Sequence, residues 1–485
     1  MLSLARLSAD LPTPTPTKVP WLEVFAAALV AMLHALVLLG RLHPDEVFQS
    51  LEPALHKAFG YGILAWEWQV PPEPLRAAQP WGIRSWVVPT FFAVLLKGAG
   101  ALGIDSVMGR RIVVALPQWA LHAAMLGAVW RFAARRAGAT LARAALWLLA
   151  LYAPVVWFGG RTMSEAFSVA FLVWGLERLD DQEAPRWQAL FGGVLLGFAQ
   201  VTRFGSAAVI APAMLWLLLT RRWRAFGEAT VGGLAVGVLL LGAFDAVTWG
   251  EWFHSFRAYV DFNVLSGKAA QSFGAEPAWY YLARFFIAPW AVLGFVLWRW
   301  DRKARSGLFV AAALGYLAAI SATSHKEERF LYPTLVLLAV AGTPAFVAWV
   351  ASRRKDAWPR ALATLLVAGN VAFFVFPNPF APQRKEQFQL EVKASSGTGL
   401  VIMNEGVWGS GGFFYVGGNK PWCTCDWPQD HCFQLAVRDA RFNRALYWSN
   451  GPAEAQRDAD SIAAFQAIGF RVVEQRGQAT YLERP

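Results

Sequence analysis

The chain has 485 residues, 56% of them hydrophobic, and a formal net charge of +11. That apolar share exceeds the roughly 45–50% of soluble globular chains, and it is concentrated between residues 21 and 377 in blocks of about 16–22 residues, the length of a membrane span. Much of the positive charge sits in the short loops between those blocks, where it sets orientation in a membrane, so the basic balance does not indicate a nucleic-acid partner.

Residues 1–20 carry Arg6, Lys18 and a Pro/Thr run at 12–17. The apolar stretch Trp21–Leu39 that follows is long enough to span and has no small-residue cleavage pattern, so a retained first span is predicted rather than a signal peptide. Further spans are predicted near 110–130, 142–158, 163–178, 188–202, 205–220, 229–248, 284–300, 307–322, 330–350 and 360–377, about eleven in all. Residues 87–103 contain Lys97 and read as an interfacial or re-entrant helix. With the N-terminus inside, this count gathers every strongly basic short loop on one side: Arg131/Arg135/Arg136, Arg178/Arg186, Arg221/Arg222/Arg224, Arg299/Arg302/Lys303/Arg305 and Arg353/Arg354/Lys355/Arg360. A full span at 87–103 would break that bias.

The opposite face then receives the loops 41–86, 249–283 and 323–329 and the tail 378–485. In the tail, residues 399–403 and 470–474 read as strands and 461–469 as a helix with a glycine stop. The Gly-rich piece Gly409–Gly412 lacks the spacing of a phosphate-binding fingerprint and reads as a turn. The expected architecture is an all-α polytopic membrane protein with a transmembrane catalytic domain over 1–377 and a small non-cytoplasmic α/β domain over 378–485.

The densest group of chemically capable residues is His43-Pro44-Asp45-Glu46-Val47-Phe48-Gln49-Ser50-Leu51-Glu52-Pro53, directly after the first span. An acidic pair there is either a solvated loop or an acid facing both lipid and water. An aspartate in the second setting can act as general base toward a sugar hydroxyl. Trp66-Glu67-Trp68 suits a sugar platform or an interfacial aromatic belt. Arg84 suits a phosphate, through its fork of donors, or an ion pair with Glu67. Arg161 to Glu165 and His325-Lys326-Glu327-Glu328-Arg329 to Pro333 put ionisable groups at the outer face, against the charge bias. Binding the phosphate of a lipid-linked donor gives them a reason to be there. Asn263 lies in an aromatic and polar loop that either covers a lipid-sugar site or forms part of the belt. Cys423, Cys425 and Cys432 allow a disulfide, free thiols or, with His431, a metal site of unusual spacing.

Taken together, His43–Glu52, Ala65–Trp68, Ile83–Ser85, Thr162–Glu165, Asp245–Gly250 with Phe262–Gly267, and His325–Pro333 run in an order that resembles the family 22 glycosyltransferases of the GT-C superfamily. Within that family the likeness is to the enzymes that mannosylate GPI-anchor and N-glycan precursors, the GPI-type α-1,2 mannosyltransferases above all. Ala65 stands where the family pattern has Thr, Glu165 where it has Asn, and Trp249 where it has Tyr.

The resemblance implies a GT-C fold and an inverting transfer of mannose from a polyprenyl or dolichyl phosphomannose to a hydroxyl of a glycan or glycolipid, giving an α-mannoside, α-1,2 by the same likeness. Asp45 would be the base and Glu46 would assist or orient. Lys326, Arg329, His325 and Arg84 would hold the donor phosphate. His43, Gln49, Glu52 and Arg161 would bind substrate, as would Trp66, Glu67, Trp68 and Asn263. The lipid phosphate is its own leaving group, so no metal, nucleotide or other cofactor is expected. The expected partners are the lipid-linked donor, the acceptor and membrane lipids. The rivals are a GT-C transferase for another polyprenyl-phosphate sugar and, in another class, a lipid or sugar transporter. A transporter would carry its ionisable groups at mid-span rather than at one face. The abundance of Ala, Arg and Trp points to a bacterial inner membrane with a periplasmic site; in a eukaryote the site would face the ER lumen.

Overall fold

In the computed structural model, which describes residues 18–76, 80–182, 185, 187–285, 306–353, 355–376 and 381–485, five helices are long and apolar enough to cross a membrane. They are Trp21–Leu38, Val107–Ala137, Trp223–Trp249, Glu328–Ser352 and Ala357–Val375. A sixth crossing forms if Ala139–Ala150 and Ala153–Gly159 count as one, although they meet at a 67° bend. The bend sits beside Pro154, which cannot donate to the helix ladder. Asn370 satisfies the freed backbone there, accepting from the Ala153 N–H at 2.9 Å and donating to the Leu151 carbonyl at 2.7 Å. Four further apolar helices are shorter: Val87–Ala101, Trp187–Thr202, Phe204–Leu219 and Gly307–Ala322. The predicted span at 163–178 is the helix Ser164–Asp180, whose buried face carries Glu165 and Glu177. The span predicted at 229–248 starts earlier, at Trp223, and contains a π-bulge at Gly237–Ala243. The Pro/Thr run at 12–17 and the span predicted at 284–300 from residue 286 onward lie outside the described residues.

The chain divides into two compact units. The first takes residues 1–32, 119–159 and 164–380. Its helices Trp187–Thr202 and Trp223–Val236 pack through glycine. A Cβ on Gly193 would overlap the Ala229 backbone, and one on Gly197 would stand 2.7 Å from the Val236 Cβ. Within lipid, such close approach of small residues replaces the hydrophobic drive that water would supply. At one end of this unit the buried Glu177 receives Arg135 at 2.6 Å, Arg131 at 2.9 Å and Arg178 at 3.5 Å. Arg136 pairs with Asp180 beside it at 2.5 Å.

The second unit takes residues 33–118, 160–163 and 381–485. Its sheet has five strands: β1 (Leu400–Met403), β2 (Trp422–Cys425), β3 (Arg444–Trp448), β4 (Arg471–Arg476) and β5 (Ala479–Glu483), in the order β2-β1-β3-β5-β4. β1 runs parallel to β2 and β3, while β5 is antiparallel to β3 and β4. The predicted strands are β1 and β4, and the predicted helix is the second half of Ala455–Ala467, closed by Gly469 at φ +92°. β1 and β3 bury both faces. Val401, Met403 and Tyr447 meet Phe465 on one side, and Leu400, Ile402 and Leu446 meet Tyr481 on the other. Of the three readings of the cysteines, the structure has a Cys423–Cys432 disulfide, with Cys425 buried and its thiol pushed up to about 12 by burial.

The glycine contact between helices gives the first expected outcome. Gly193→Leu forces the helix pair apart at a cost of about 1–3 kcal/mol. Thermal melting in detergent should fall by several degrees; an unchanged midpoint would show that the pair does not depend on this close approach.

Candidate active site

The first half of the predicted site lies in the second unit. Leu39 and Gly40 both adopt left-handed backbone, at φ +52° and +69°, so the chain turns sharply at the end of the first helix. For a leucine that conformation costs about 1–2 kcal/mol, and Arg161 holds it in place. Its guanidinium, fully buried, donates to the Leu39 carbonyl at 2.6 Å and the Gly40 carbonyl at 2.7 Å. The same guanidinium meets the Glu46 carboxylate at 3.2 Å, and Arg111 approaches its other oxygen at 3.8 Å. Thr162 donates its hydroxyl to the Glu46 carbonyl at 2.9 Å, and Ser50 donates to the Thr162 carbonyl at 2.8 Å. Glu46 is only 1% exposed. It is therefore spent on internal partners, whereas its neighbour Asp45 keeps part of its carboxylate exposed. The Asp45 side chain keeps 20% exposure and stands 3.1 Å from His43 Nδ1.

Gln49 sits in a π-turn, Val47–Leu51, the kind of bulge that re-aims a side chain at functional sites. It donates to both Glu67 oxygens at 3.2 Å. Arg84 grips the same carboxylate through two nitrogens at 2.7 and 3.0 Å. Burial pushes the Glu67 carboxyl up, Arg84 opposes the shift and the charge of Asp45 adds to it. Asp45 is thus electrostatically coupled to the Gln49–Glu67–Arg84 chain. Of the two readings of Arg84, the structure contains the ion pair with Glu67. Trp68 is buried against Trp86 with rings 4.6 Å apart, whereas Trp66 on the same turn is half-buried.

Glu52 lies at the interior end of this group and is fully buried. Its two oxygens accept from the Ile63 and Phe414 N–H groups, each at 2.8 Å. Its carboxyl is raised to about 7 by burial, with the backbone donors holding it back. Glu391, likewise buried, accepts from the Gly411 N–H at 2.8 Å and is also raised to about 7 by burial. The Gly409–Gly412 piece, with Gly412 at φ +60°, offers the Gly411 amide to Glu391, and Phe414 just beyond it serves Glu52.

The other half of the predicted site lies in the first unit. Glu165, fully buried, pairs with Arg203 at 2.8 Å and stands 3.7 Å from Arg329. Glu327 collects Arg329 at 2.6 Å and His325 at 3.0 Å, and its backbone exchanges hydrogen bonds with the Tyr281 hydroxyl at 3.1 Å. Lys326 differs from its neighbours. It is 6% exposed, its ammonium donates to the Thr323 carbonyl, and it has no carboxylate partner within ion-pair distance among the described residues. Burial lowers its basicity, with only the more distant Glu276 working against that. Asn263 sits in another π-turn, Asp261–Leu265, and donates to the Tyr259 carbonyl at 3.0 Å. The motif residue Asp245 is buried on Ser255, accepting its N–H at 2.8 Å and its hydroxyl at 2.6 Å. Arg111 and Arg203 join these clusters without a strong sequence signal, each looking like an ordinary charge at the end of an apolar block. No group of three or more His, Cys, Asp or Glu able to hold a metal ion occurs among the described residues.

Residues 21–385 match the Alg9-like mannosyltransferase family. "GPI mannosyltransferase 3" of Yarrowia lipolytica is 32% identical over 72% of this chain and 66% of that protein. The human "GPI alpha-1,2-mannosyltransferase 3" is 25% identical over 60% of this chain and 51% of that protein. The chain thus spans between about half and two thirds of the length of these curated relatives. Among solved structures, ArnT from Cupriavidus metallidurans bound to undecaprenyl phosphate aligns with a TM-score of 0.58 at 14% identity, over 96% of this chain and 98% of that one. That likeness is one of fold, and the fold is of the GT-C type.

Two outcomes are expected from this geometry. Glu46→Ala leaves Arg161 and Arg111 buried without their carboxylate and should cost about 3–5 kcal/mol, read as a collapse of the melting midpoint. Wild-type melting would show that Glu46 is not the clamp. Glu52 and Glu391 have folded values raised above the ordinary carboxylate value, so the folded state keeps protons that the unfolded chain has released. Their contribution is complete below about pH 4.5 and is lost as pH rises to about 7. The melting midpoint should therefore fall from pH 5 to pH 7.5, and less steeply in Glu391→Gln. Equal slopes would remove Glu391 from that titration.

Proposed function

Because the chain belongs to the Alg9-like mannosyltransferase family, we propose that it is a membrane glycosyltransferase that moves mannose from a polyprenyl or dolichyl phosphomannose to a hydroxyl of a glycan or glycolipid. The reading carries Asp45 as the general base. What supports it most is the contrast within one dipeptide: Glu46 is consumed by buried arginines, while Asp45 keeps an accessible carboxylate. Asp45 removes the proton of the acceptor hydroxyl as its oxygen attacks C1 of the sugar. The bond from C1 to the phosphate oxygen breaks and the lipid phosphate departs with the electron pair. A β-linked donor is thereby inverted to an α-mannoside, with α-1,2 the linkage favoured by the names of the relatives. The donor brings its own leaving group, so the step calls for no nucleotide or metal.

Lys326 is proposed to take the donor phosphate. A buried ammonium without a carboxylate is costly until an anion arrives, and an incoming phosphate offsets both the desolvation and the charge that develops as the bond breaks. In this structure Arg84 and Arg329 already neutralise Glu67 and Glu327, which suits them to holding those carboxylates in place. Glu46 and Arg161 are read as positioning residues for Asp45. The active face is the one opposite the basic loops, periplasmic in a bacterium and lumenal in the ER.

The test is transfer of labelled mannose from polyprenyl phosphomannose by purified protein. Asp45→Asn should lower the rate by about 10²-fold or more with melting unchanged, and undiminished transfer would remove Asp45 from the role of base. Activity only with a different polyprenyl-phosphate sugar would replace mannose in the reading. Lys326→Met should raise KM for the donor about tenfold or more and leave the fold intact; an unchanged KM would free Lys326 of the phosphate.

A further inference from the structure

The first unit has a second concentration of uncommitted positive charge, at the end of its helices that carries Arg131, Arg135, Arg136 and Arg178. The positive-inside rule assigns that end to the cytoplasm, away from the proposed transfer site. A pocket of about 460 Å³ opens there, lined by Arg178, Arg221, Arg222 and Arg224 and by the carboxylates Asp181 and Glu228, among others. The carboxylates are already engaged. Glu228 pairs with Arg224 at 2.8 Å and Asp181 with Arg135 at 3.5 Å. Arg178 is engaged as well, with Glu177 at 3.5 Å and with Gln188, to which it donates at 2.8 Å. Arg221 and Arg222 make no side-chain hydrogen bond or ion pair among the described residues, although the Asp180 and Asp181 carboxylates attract Arg222 from beyond ion-pair distance.

The backbone adds donors in the same place. The helix Trp223–Val236, 14 residues long, starts at the pocket, and its N-cap Arg222 supplies no side-chain cap. The first amide to close a helical bond is that of Phe226, which donates to the Arg222 carbonyl at 3.0 Å. The amides of Trp223, Arg224 and Ala225, all pocket residues, have no acceptor among the described residues. Free amides at the positive end of a helix beside uncommitted guanidiniums make an anion site. Arg221 itself holds a left-handed backbone, φ +60°, a position that glycine would occupy at less cost. Trp187 and Trp223, 59% and 63% exposed, stand at the starts of the two neighbouring helices, as tryptophans do at the level of lipid headgroups.

We infer that this pocket binds the phosphate headgroup of an anionic phospholipid of the cytoplasmic leaflet. The phosphate would accept from Arg221, Arg222 and the three free amides, with its acyl chains lying along the apolar helices below. Loops that only set orientation need net charge; they need neither a concave pocket nor a helix N-terminus left uncapped inside it.

The test is native mass spectrometry of the full chain in detergent, titrated with phosphatidic acid or with phosphatidylcholine. Compared are wild type, Arg221→Gln/Arg222→Gln, and Lys355→Gln/Arg360→Gln in another basic loop. Wild type should retain phosphatidic acid about tenfold or more tightly than the Arg221/Arg222 variant, the other variant should behave as wild type, and phosphatidylcholine should not compete. Melting of the Arg221/Arg222 variant without added lipid should match wild type, so that lost binding is not lost fold. Equal lipid affinity in wild type and that variant overturns the inference, as does an equal loss in both variants. Displacement of the lipid by millimolar inorganic phosphate would also overturn it, identifying a site for free phosphate instead.

Discussion

A carboxylate taken fully out of water must be answered where it stands, and Glu46 is answered by Arg161 and Arg111. The consequences spread through the second unit. Arg161 reaches Glu46 only because residues 160–163 lie against the turn after the first helix. It then holds that turn through the carbonyls of Leu39 and Gly40, in a conformation that a leucine adopts at a cost. Thr162 adds the Glu46 carbonyl, and Ser50 ties Thr162 to the π-turn that presents Gln49. Asp45, on the same helical turn, keeps part of its carboxylate exposed beside His43. In the proposed reading of Asp45 as base, a backbone clamped on both sides loses little freedom when substrate arrives.

The same logic, applied to opposite ends of the charge scale, separates two kinds of ionisable residue. Glu52 and Glu391 are buried with backbone amides as partners, and amides carry only partial charge; burial therefore prevails and both carboxyls titrate near neutrality. Glu165, Glu177 and Glu327 are buried or half-buried with guanidiniums, whose full charge and forked donors repay the desolvation. In the first unit Lys326 belongs to neither kind. It has a carbonyl and, among the described residues, no carboxylate within ion-pair distance, which is what the proposed phosphate role builds on.

Much of this was legible in the sequence, and what was missed has physical reasons. The long apolar helices announced themselves by block length, and β1 and β4 by β-branched residues between glycines. β2 and β3 did not, because Trp-Cys-Thr-Cys and Arg-Ala-Leu-Tyr-Trp carry no alternation that could be told from a loop, and β1 and β3 are covered on both faces. A break at Pro154 inside one apolar block leaves no mark in hydropathy, since Asn370, which satisfies it, is more than two hundred residues away. The acidic and basic motifs were visible as clusters, and the resemblance divided their roles, but the partners that hold each side chain were not visible. That Glu46, and not Asp45, is the acid buried against Arg111 and Arg161 depends on residues far away in the chain. Arg84 had two readings from spacing alone, and the structure contains the pairing with Glu67, through two nitrogens.

Charge counted along a sequence and charge available in space are therefore different quantities. The basic loops that orient the chain appear equivalent when listed by residue type. Folded, Arg131, Arg135 and Arg178 converge on Glu177, and Arg136 on Asp180, so four cations of that face are engaged in ion pairs. Arg221 and Arg222, one loop away, make no ion pair among the described residues, with Asp180 and Asp181 acting on Arg222 only from a distance. An orientation signal read during insertion acts on the unfolded segment, before those pairs exist, and so counts all of these arginines alike. After folding, the internal pairs take up part of that charge, and how much is left differs from one arginine to the next. A chain can thus use one set of arginines twice in sequence order, first to choose a side of the membrane and then, in the few positions the fold leaves unpaired, to hold an anion there.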